Sequence, residues 1–399
     1  MSTDVRDRTR LERAKVAVAV TFAVNGLAFA GWLARAPAVR NDLHLSPAGF
    51  GLLLLCLSAA AIASIPLAGP LVHRTGPARA VLLGSMSVVL GLILLAAGAA
   101  LGWVPLAGLG LVFAGAGNST WDVAMNVEGA DVERRLGRTL MPRFHAGFSL
   151  GTVAGAGAGA LAATAGVAVS TQLWVTAALA AAVQVIIVRQ FLPQAVEHAE
   201  QRSPAGVKQT WREPRTLLIG LIMLGFGFTE GSANDWLAIS LVDGYGTSET
   251  LGAIGFGMFV TAMTVGRMFG GHALQRWGRV PVLRVTAVSA LIGLLLVVSG
   301  LAVPVALVGA LFWGVGASLG FPVGMSAAAD DPARAAIRVS VAGSIGYAAF
   351  LSGPPLIGFL AQHVGILNAL LVVLVAIALG LYASRAARPL AVEQDTTRV

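Results

Sequence analysis

Runs of mostly apolar residues, separated by short polar stretches, recur along the whole chain. A helix needs about 20 such residues to cross a bilayer core. Twelve runs of that kind can be marked, over 16–35, 48–72, 79–99, 104–127, 144–166, 171–191, 215–240, 251–274, 281–302, 304–328, 339–361 and 364–384. Sustained apolar–polar alternation is missing, so the pattern predicts membrane helices and not a β-barrel. Several runs are dense in Gly and Ala, as in Ala154–Ala160, which lets helix backbones approach closely in lipid.

The pattern also repeats. Gly69-Pro70-Leu71-Val72-His73-Arg74-Thr75-Gly76 after the second span is matched by Gly271-His272-Ala273-Leu274-Gln275-Arg276-Trp277-Gly278 after the eighth. Trp32-Leu33-Ala34 returns as Trp236-Leu237-Ala238, and Ser149-Leu150-Gly151 as Ser344-Ile345-Gly346, which sets Arg143 opposite Arg338. Each pair lies about 200 residues apart, half the chain. Six helices repeated in the same topology make a parallel repeat, so the expected fold is all-α, with twelve transmembrane helices in two six-helix bundles. Residues 1–192 form the N-terminal bundle, 193–214 a polar cytoplasmic linker and 215–399 the C-terminal bundle. Gly320-Phe321-Pro322 and Gly353-Pro354-Pro355 predict bends in the tenth and eleventh spans, because Pro removes a helix hydrogen bond that neighbours must replace.

Composition agrees with the pattern. With 56% hydrophobic and 12% charged residues in 399 and a mean hydropathy of +0.80, the chain has more apolar surface than a water-soluble fold can hide. The lipid bilayer is its partner. All but three of its 27 Lys and Arg fall in segments that share one side when the N-terminus is inside; Arg35 and Arg40 lie outside, and Arg267 lies within the eighth span. The positive-inside bias places both termini in the cytoplasm. The net charge of +8 is therefore a topology signal and does not point to nucleic acid. Cys56, the single cysteine, has no internal partner. The basic start and Ala34-Arg35-Ala36 imitate a secretory signal, but the first span shares features with the seventh and its removal would invert every later loop. It is read as retained.

A family resemblance enters through these motifs. The Gly-x-Leu-x-x-Arg-x-Gly pattern at 69–76 resembles the loop signature of the major facilitator superfamily, with His73 and Gln275 where that signature usually has Asp. Gly117-Asn118-Ser119-Thr120-Trp121-Asp122-Val123-Ala124-Met125-Asn126, Gly266-Arg267-Met268-Phe269-Gly270 and Gly346-Tyr347 resemble the fucose-permease-like branch. Glu230-Gly231 followed by Asp235-Trp236 resembles the YbjJ-type inner-membrane proteins within it. The resemblance implies a bacterial inner-membrane transporter that rocks two bundles about a midplane site.

An ionisable group inside a span costs roughly 2.5–3.5 kcal/mol on insertion scales, so it should face a cavity or a partner. Asp122 in the fourth span has Asn118 and Asn126 four residues to either side, which stacks three polar side chains on one helix face. A carboxylate there can load and release a proton as a cavity opens and closes. The resemblance supports that role, since a fucose permease has an acidic proton carrier at the matching place and an Asn four residues on. The alternative is a structural pair with Arg267. Arg267, and Arg74 and Arg276 in the repeated loop motif, are read as gating or structural groups.

Glu230 and Asn234 share a face of the seventh span, with Glu230 either a second proton or solute ligand or a structural group. Asp235 points about 140° away and is read as locking a helix end. His145, Ser149 and Thr152 form a polar stripe in the fifth span, with repeat counterparts Ser340, Ser344 and Tyr347 in the eleventh; such stripes suit a hydroxylated solute but also bond neighbouring helices. Asn25 is a cavity ligand, although Ala28, Phe29 and Ala30 stand where the fucose-permease pattern has an acid. Phe321 is the repeat counterpart of Asp122. Trp32, Trp121, Trp236 and Trp313 are either stacking surfaces or anchors. Asp131, Glu133, Arg134, Arg135 and Arg138, with Asp330, Asp331 and Arg334 in the other half, are expected to make cytoplasmic contacts in an outward-facing state.

The function these residues predict is secondary active transport of a small, polar, sugar-like solute, coupled to protons, by a monomer. The alternative is proton-driven efflux of drugs or other amphipathic compounds. Gly147, Gly151, Gly155, Gly157 and Gly159 resemble the Gly spacing of drug antiporters, but the Gly-Pro step of their signature is missing. Phosphate-binding loops, nucleophile elbows and metal-ligand clusters are absent from the sequence, so neither an enzyme nor a cofactor is expected.

Overall fold

A computed structural model describes residues 2–137, 140–192, 209–331 and 334–389. The expected linker over 193–214 lies largely outside them, as do Arg138, Arg202, Lys208 and Arg398. Among the described residues the chain is helical, without strands. The first half contains α1 (Ser2–Leu33), α2 (Ala36–Asp42), α3 (Pro47–Thr75), α4 (Pro77–Leu101), α5 (Val104–Leu136), α6 (Met141–Thr164) and α7 (Val169–Ile187). The second contains α8 (Pro214–Tyr245), α9 (Glu249–Trp277), α10 (Arg279–Val298), α11 (Val303–Ala317), α12 (Gly320–Ala328), α13 (Ala335–Val364), α14 (Ile366–Ala369) and α15 (Val372–Ala383).

Eleven helical stretches are long and apolar enough to cross a membrane. The twelfth is α5, whose 33 residues exceed what a span requires. Its apolar character is diluted by Asn118, Ser119, Thr120, Asp122 and Asn126, so the least lipid-like helix is the one with the most polar chemistry.

The repeat is visible in how helices begin and end. Ser46 caps α3 by accepting from the Gly49 amide at 3.2 Å, and Ser248 caps α9 by accepting from Leu251 at 3.3 Å; each satisfies one donor that the first turn leaves free. Gly76 and Gly278 close the same helices with φ of 82° and 78°, a region that only glycine enters without strain. Both helices have 29 residues. They outrun the apolar stretches 48–72 and 251–274 because the basic last turns, with Arg74 and Arg276, are still helical.

Small residues set the packing within each half. A Cβ on Gly84, Gly91 or Gly98 of α4 would meet the α5 backbone at Trp121, Ala114 or Ala107 within 2.5–2.6 Å, so these two helices touch backbone to backbone. Equivalent hydrogen bonds tie the equivalent helices: Ser87 donates to the Phe113 carbonyl and Ser289 to the Phe312 carbonyl, both at 2.8 Å. Helix α1 packs on α6, and α3 and α4 pack on α5, while α8 packs on α13 and α15, and α11 on α9 and α10. The halves meet mainly along α3 against α13 and α6 against α9.

The sequence signals for bends are followed by the helices in different ways. The tenth span breaks at Ser318-Leu319, between α11 and α12, just before the Gly-Phe-Pro step. Helix α13 runs unbroken through Pro354 and Pro355. The twelfth span is interrupted at Leu370-Leu371, where hydrogen bonds tighten to three-residue spacing, as from Leu371 to Asn368; this break has no Pro or Gly to announce it.

Candidate functional site

Between the halves lies a cavity of about 300 Å³. Helix α1 contributes Asn25, Phe29 and Trp32, and α5 contributes Asn118, Ser119 and Asp122. From the second half come Asn234 and Asp235 of α8 and Tyr347 and Phe350 of α13. The four-residue spacing of the polar α5 side chains places Asn118 and Asp122 on the cavity face, one turn apart.

The Asp122 side chain is exposed to this space. Its carboxylate accepts from the Asn126 amide at 3.2 Å, and the same amide donates to the Asp122 carbonyl at 2.9 Å. Asn126 therefore holds Asp122 and does not itself line the cavity. Asn25 donates to Asn118 Oδ1 at 3.1 Å, tying α1 to α5. Ser119 donates to the Ala61 carbonyl of α3 at 2.9 Å. Across the cavity, Tyr347 lies within electrostatic range of Asp122. Phe321 stands behind it, with ring centroids 5.6 Å from Tyr347 and 6.1 Å from Phe350. Among the four tryptophans singled out in the sequence, Trp32 lines the cavity, whereas Trp121, Trp236 and Trp313 are fully buried in packing.

Of the α8 acids, Glu230 takes the structural one of its two readings and Asp235 departs from the helix-end role read for it. Glu230 is engaged by Arg267 of the neighbouring α9, Nη2 to Oε1 at 2.9 Å, and Arg267 Nε donates to the Ser318 carbonyl at 3.2 Å. Arg267 thus pairs inside its own half, and the alternative pairing with Asp122 is not the one seen. Asp235, read from the sequence as a helix-end lock, lines the cavity beside Asn234. The apolar run ends at 240, which made Asp235 look terminal, but α8 continues to Tyr245 and sets Asp235 about three turns from its end.

Other candidates stay outside the cavity lining. His145 is exposed near Arg267, its ring edge-on to Phe22 at 5.2 Å. Ser149 is buried in α6. Arg74 and Arg276 are exposed at the ends of α3 and α9, with Arg276 over the Trp277 ring at 5.8 Å. Among the described residues the cavity lining holds two carboxylates and no Lys, Arg or His, and no group of His, Cys, Asp and Glu could hold a metal ion.

On the face opposite the termini the halves are fastened together. Arg40 donates to Asp243 Oδ1 at 2.8 Å, and Arg35, buried and bonded to Gln172 at 2.9 Å, lies 3.7 Å from Glu249. Phe50 of α3 meets Trp236 of α8 edge to face at 5.9 Å. A Cβ on Gly51 would lie 2.6 Å from the Pro354 carbonyl, and one on Gly358 the same distance from that of Pro47. On the face of the termini, ion pairs from Arg215 and Arg279 to Asp330, from Arg334 and Arg338 to Glu213, and from Arg134 to Asp131 each stay within one half.

Residues 16–335 match the Major Facilitator Superfamily. The transporter y4wD of Sinorhizobium fredii is 34% identical over 349 residues, covering 86% of this chain and 90% of that protein. Among solved structures, a mutant of the nucleoside transporter NupG superposes with a TM-score of 0.77 at 14% identity, over 94% of this chain and 98% of its own. The transporter FucP in its outward conformation gives 0.63 at 15%, over 94% and 98%. With twelve spans, two repeated halves and between them a largely apolar cavity that carries two carboxylates, the chain belongs to the major facilitator superfamily and is a multi-pass membrane transporter, not an enzyme.

Proposed function

We propose that this transporter moves a small polar solute together with protons, as a monomer in a bacterial inner membrane with both termini in the cytoplasm. The observation that carries this reading is Asp122, a carboxylate exposed in the cavity between the halves, with Asn126 as its hydrogen-bond donor and, among the described residues, no cation paired to it. Such a group can exchange a proton with whichever side the cavity faces, and alternating exposure converts that into coupling. The amides of Asn25, Asn118 and Asn234 supply directional hydrogen bonds for the solute. A cavity of about 300 Å³ is at the small end for ligand sites, which favours a solute of single-ring size over a bulky amphipathic drug.

The test is solute-triggered proton movement in proteoliposomes with a pH dye inside. Panels of sugars, polyols and amines should include compounds that move protons in step with labelled solute. Solute flux that leaves internal pH unchanged would refute the coupling.

With the termini inside, the fastened face is the outer one, and the structure corresponds to an inward-facing state. The Arg40–Asp243 pair is partly solvated, with 12% and 27% of the side chains exposed, so it should contribute only about 0.2–1 kcal/mol. Asp243→Ala is therefore expected to raise outside labelling of Leu33→Cys, in a Cys56→Ser background, by about 1.5- to 5-fold. An impermeant maleimide applied to whole cells measures this, and an unchanged rate would mean that the pair does not hold the outer face.

A further inference from the structure

Resting on the reading of this cavity as the transport site, we propose that it binds a compact organic cation, a protonated amine of about single-ring size, between Asp122 of the first half and Asp235 of the second. Asp235 has no hydrogen bond or ion pair among the described residues, and Asp122 has only the Asn126 amide. Arg267, the basic side chain placed within a span, is already engaged by Glu230. Two carboxylates without a cationic partner, lining one cavity in a low-dielectric setting, concentrate cations.

The second observation is independent of charge. Asn234 is 8% exposed, lines the same cavity and has no hydrogen-bond partner among the described residues. A buried amide is costly unless a ligand or water completes its bonds. The third is the aromatic lining: Phe29, Trp32, Tyr347 and Phe350 border the same space, and aromatic rings attract ammonium groups. A bare proton would use the carboxylates alone, whereas an ammonium on a compact body uses the acids, the open amide and the rings together. Because the two acids belong to opposite halves, a cation attracted to both would favour closure of the cavity around it. It would thereby favour the movement that carries it.

The experiment is thermal unfolding of the purified full-length protein with matched probes at neutral pH: glucosamine against glucose, and cyclohexylamine against cyclohexanol. The ammonium member of at least one pair should raise the midpoint by a few degrees, and its neutral twin should not. Asp235→Asn should weaken the amine response about 10- to 100-fold, as expected for a lost charge-assisted hydrogen bond, and Asp235→Glu should keep it. If Asp235→Asn does not fold, the matched pairs on the native chain and on Asp235→Glu decide. Equal stabilisation by the neutral twins, no stabilisation by either amine, or an undiminished amine response in Asp235→Asn would each overturn the proposal. A neutral sugar that binds as well as its amine removes the cation but leaves proton-coupled transport standing. Amine binding without solute-linked proton movement removes the coupling and leaves the cation site.

Discussion

Asp122→Asn should insert and fold, still exchange solute across the membrane though with weaker binding of an amine, and lose accumulation driven by a proton gradient. With one proton moved per solute, a gradient of one pH unit supplies about 1.36 kcal/mol, enough for roughly tenfold accumulation. The variant should fall to a ratio of about one, since an amide in that place can donate and accept hydrogen bonds but carries no exchangeable charge. Folding should survive because the Asp122 side chain is exposed to the cavity and its one bond is to Asn126 on the same helix. Nothing on another helix loses a bond to it. Counterflow of labelled solute in proteoliposomes, with and without a pH gradient, separates the two activities. Gradient-driven accumulation equal to that of the native chain would remove Asp122 from the coupling.

That the coupling candidate was visible in the sequence follows from its rarity: a carboxylate amid an apolar run has few structural excuses. The helices were legible for a similar reason, since runs such as 79–99 differ from their observed bounds, Pro77–Leu101, by only a couple of residues. Harder to read was which acid of α8 faces the cavity. Glu230 and Asp235 lie on different sides of one helix, and helical periodicity states their separation without stating which side meets the other half. Hydropathy ended the span at 240 and made Asp235 look peripheral, whereas Ser240 and Leu241 are buried and the helix continues to Tyr245. The Ser46 and Ser248 caps and their partner glycines were present in the sequence as turn chemistry, and they mark the helix ends better than hydropathy does. The break at Leu370-Leu371 has no Pro or Gly beside it to signal it.

The Glu230–Arg267 pair should prove a stability element whose halves depend on each other. Removing the carboxylate in Glu230→Gln leaves a guanidinium between helices with the Ser318 carbonyl as its remaining acceptor. An orphaned charge of this kind costs about 3–5 kcal/mol when deeply buried and roughly 2.5–3.5 kcal/mol on membrane insertion scales. Here 28% of the Arg267 side chain and 15% of Glu230 remain exposed, so solvent screening brings the expected loss to about 2–3 kcal/mol. Arg267→Gln should cost a similar amount, because it strands the acid instead. The double variant Glu230→Gln/Arg267→Gln should recover at least half of either loss, since two neutral amides can bond each other across the same gap between α8 and α9. Reversible unfolding in mixed micelles, read for the four members of the cycle, gives the coupling energy. Additive losses in the double variant would show that the two side chains act separately, and the ion pair would then be a neighbour relation without energetic weight.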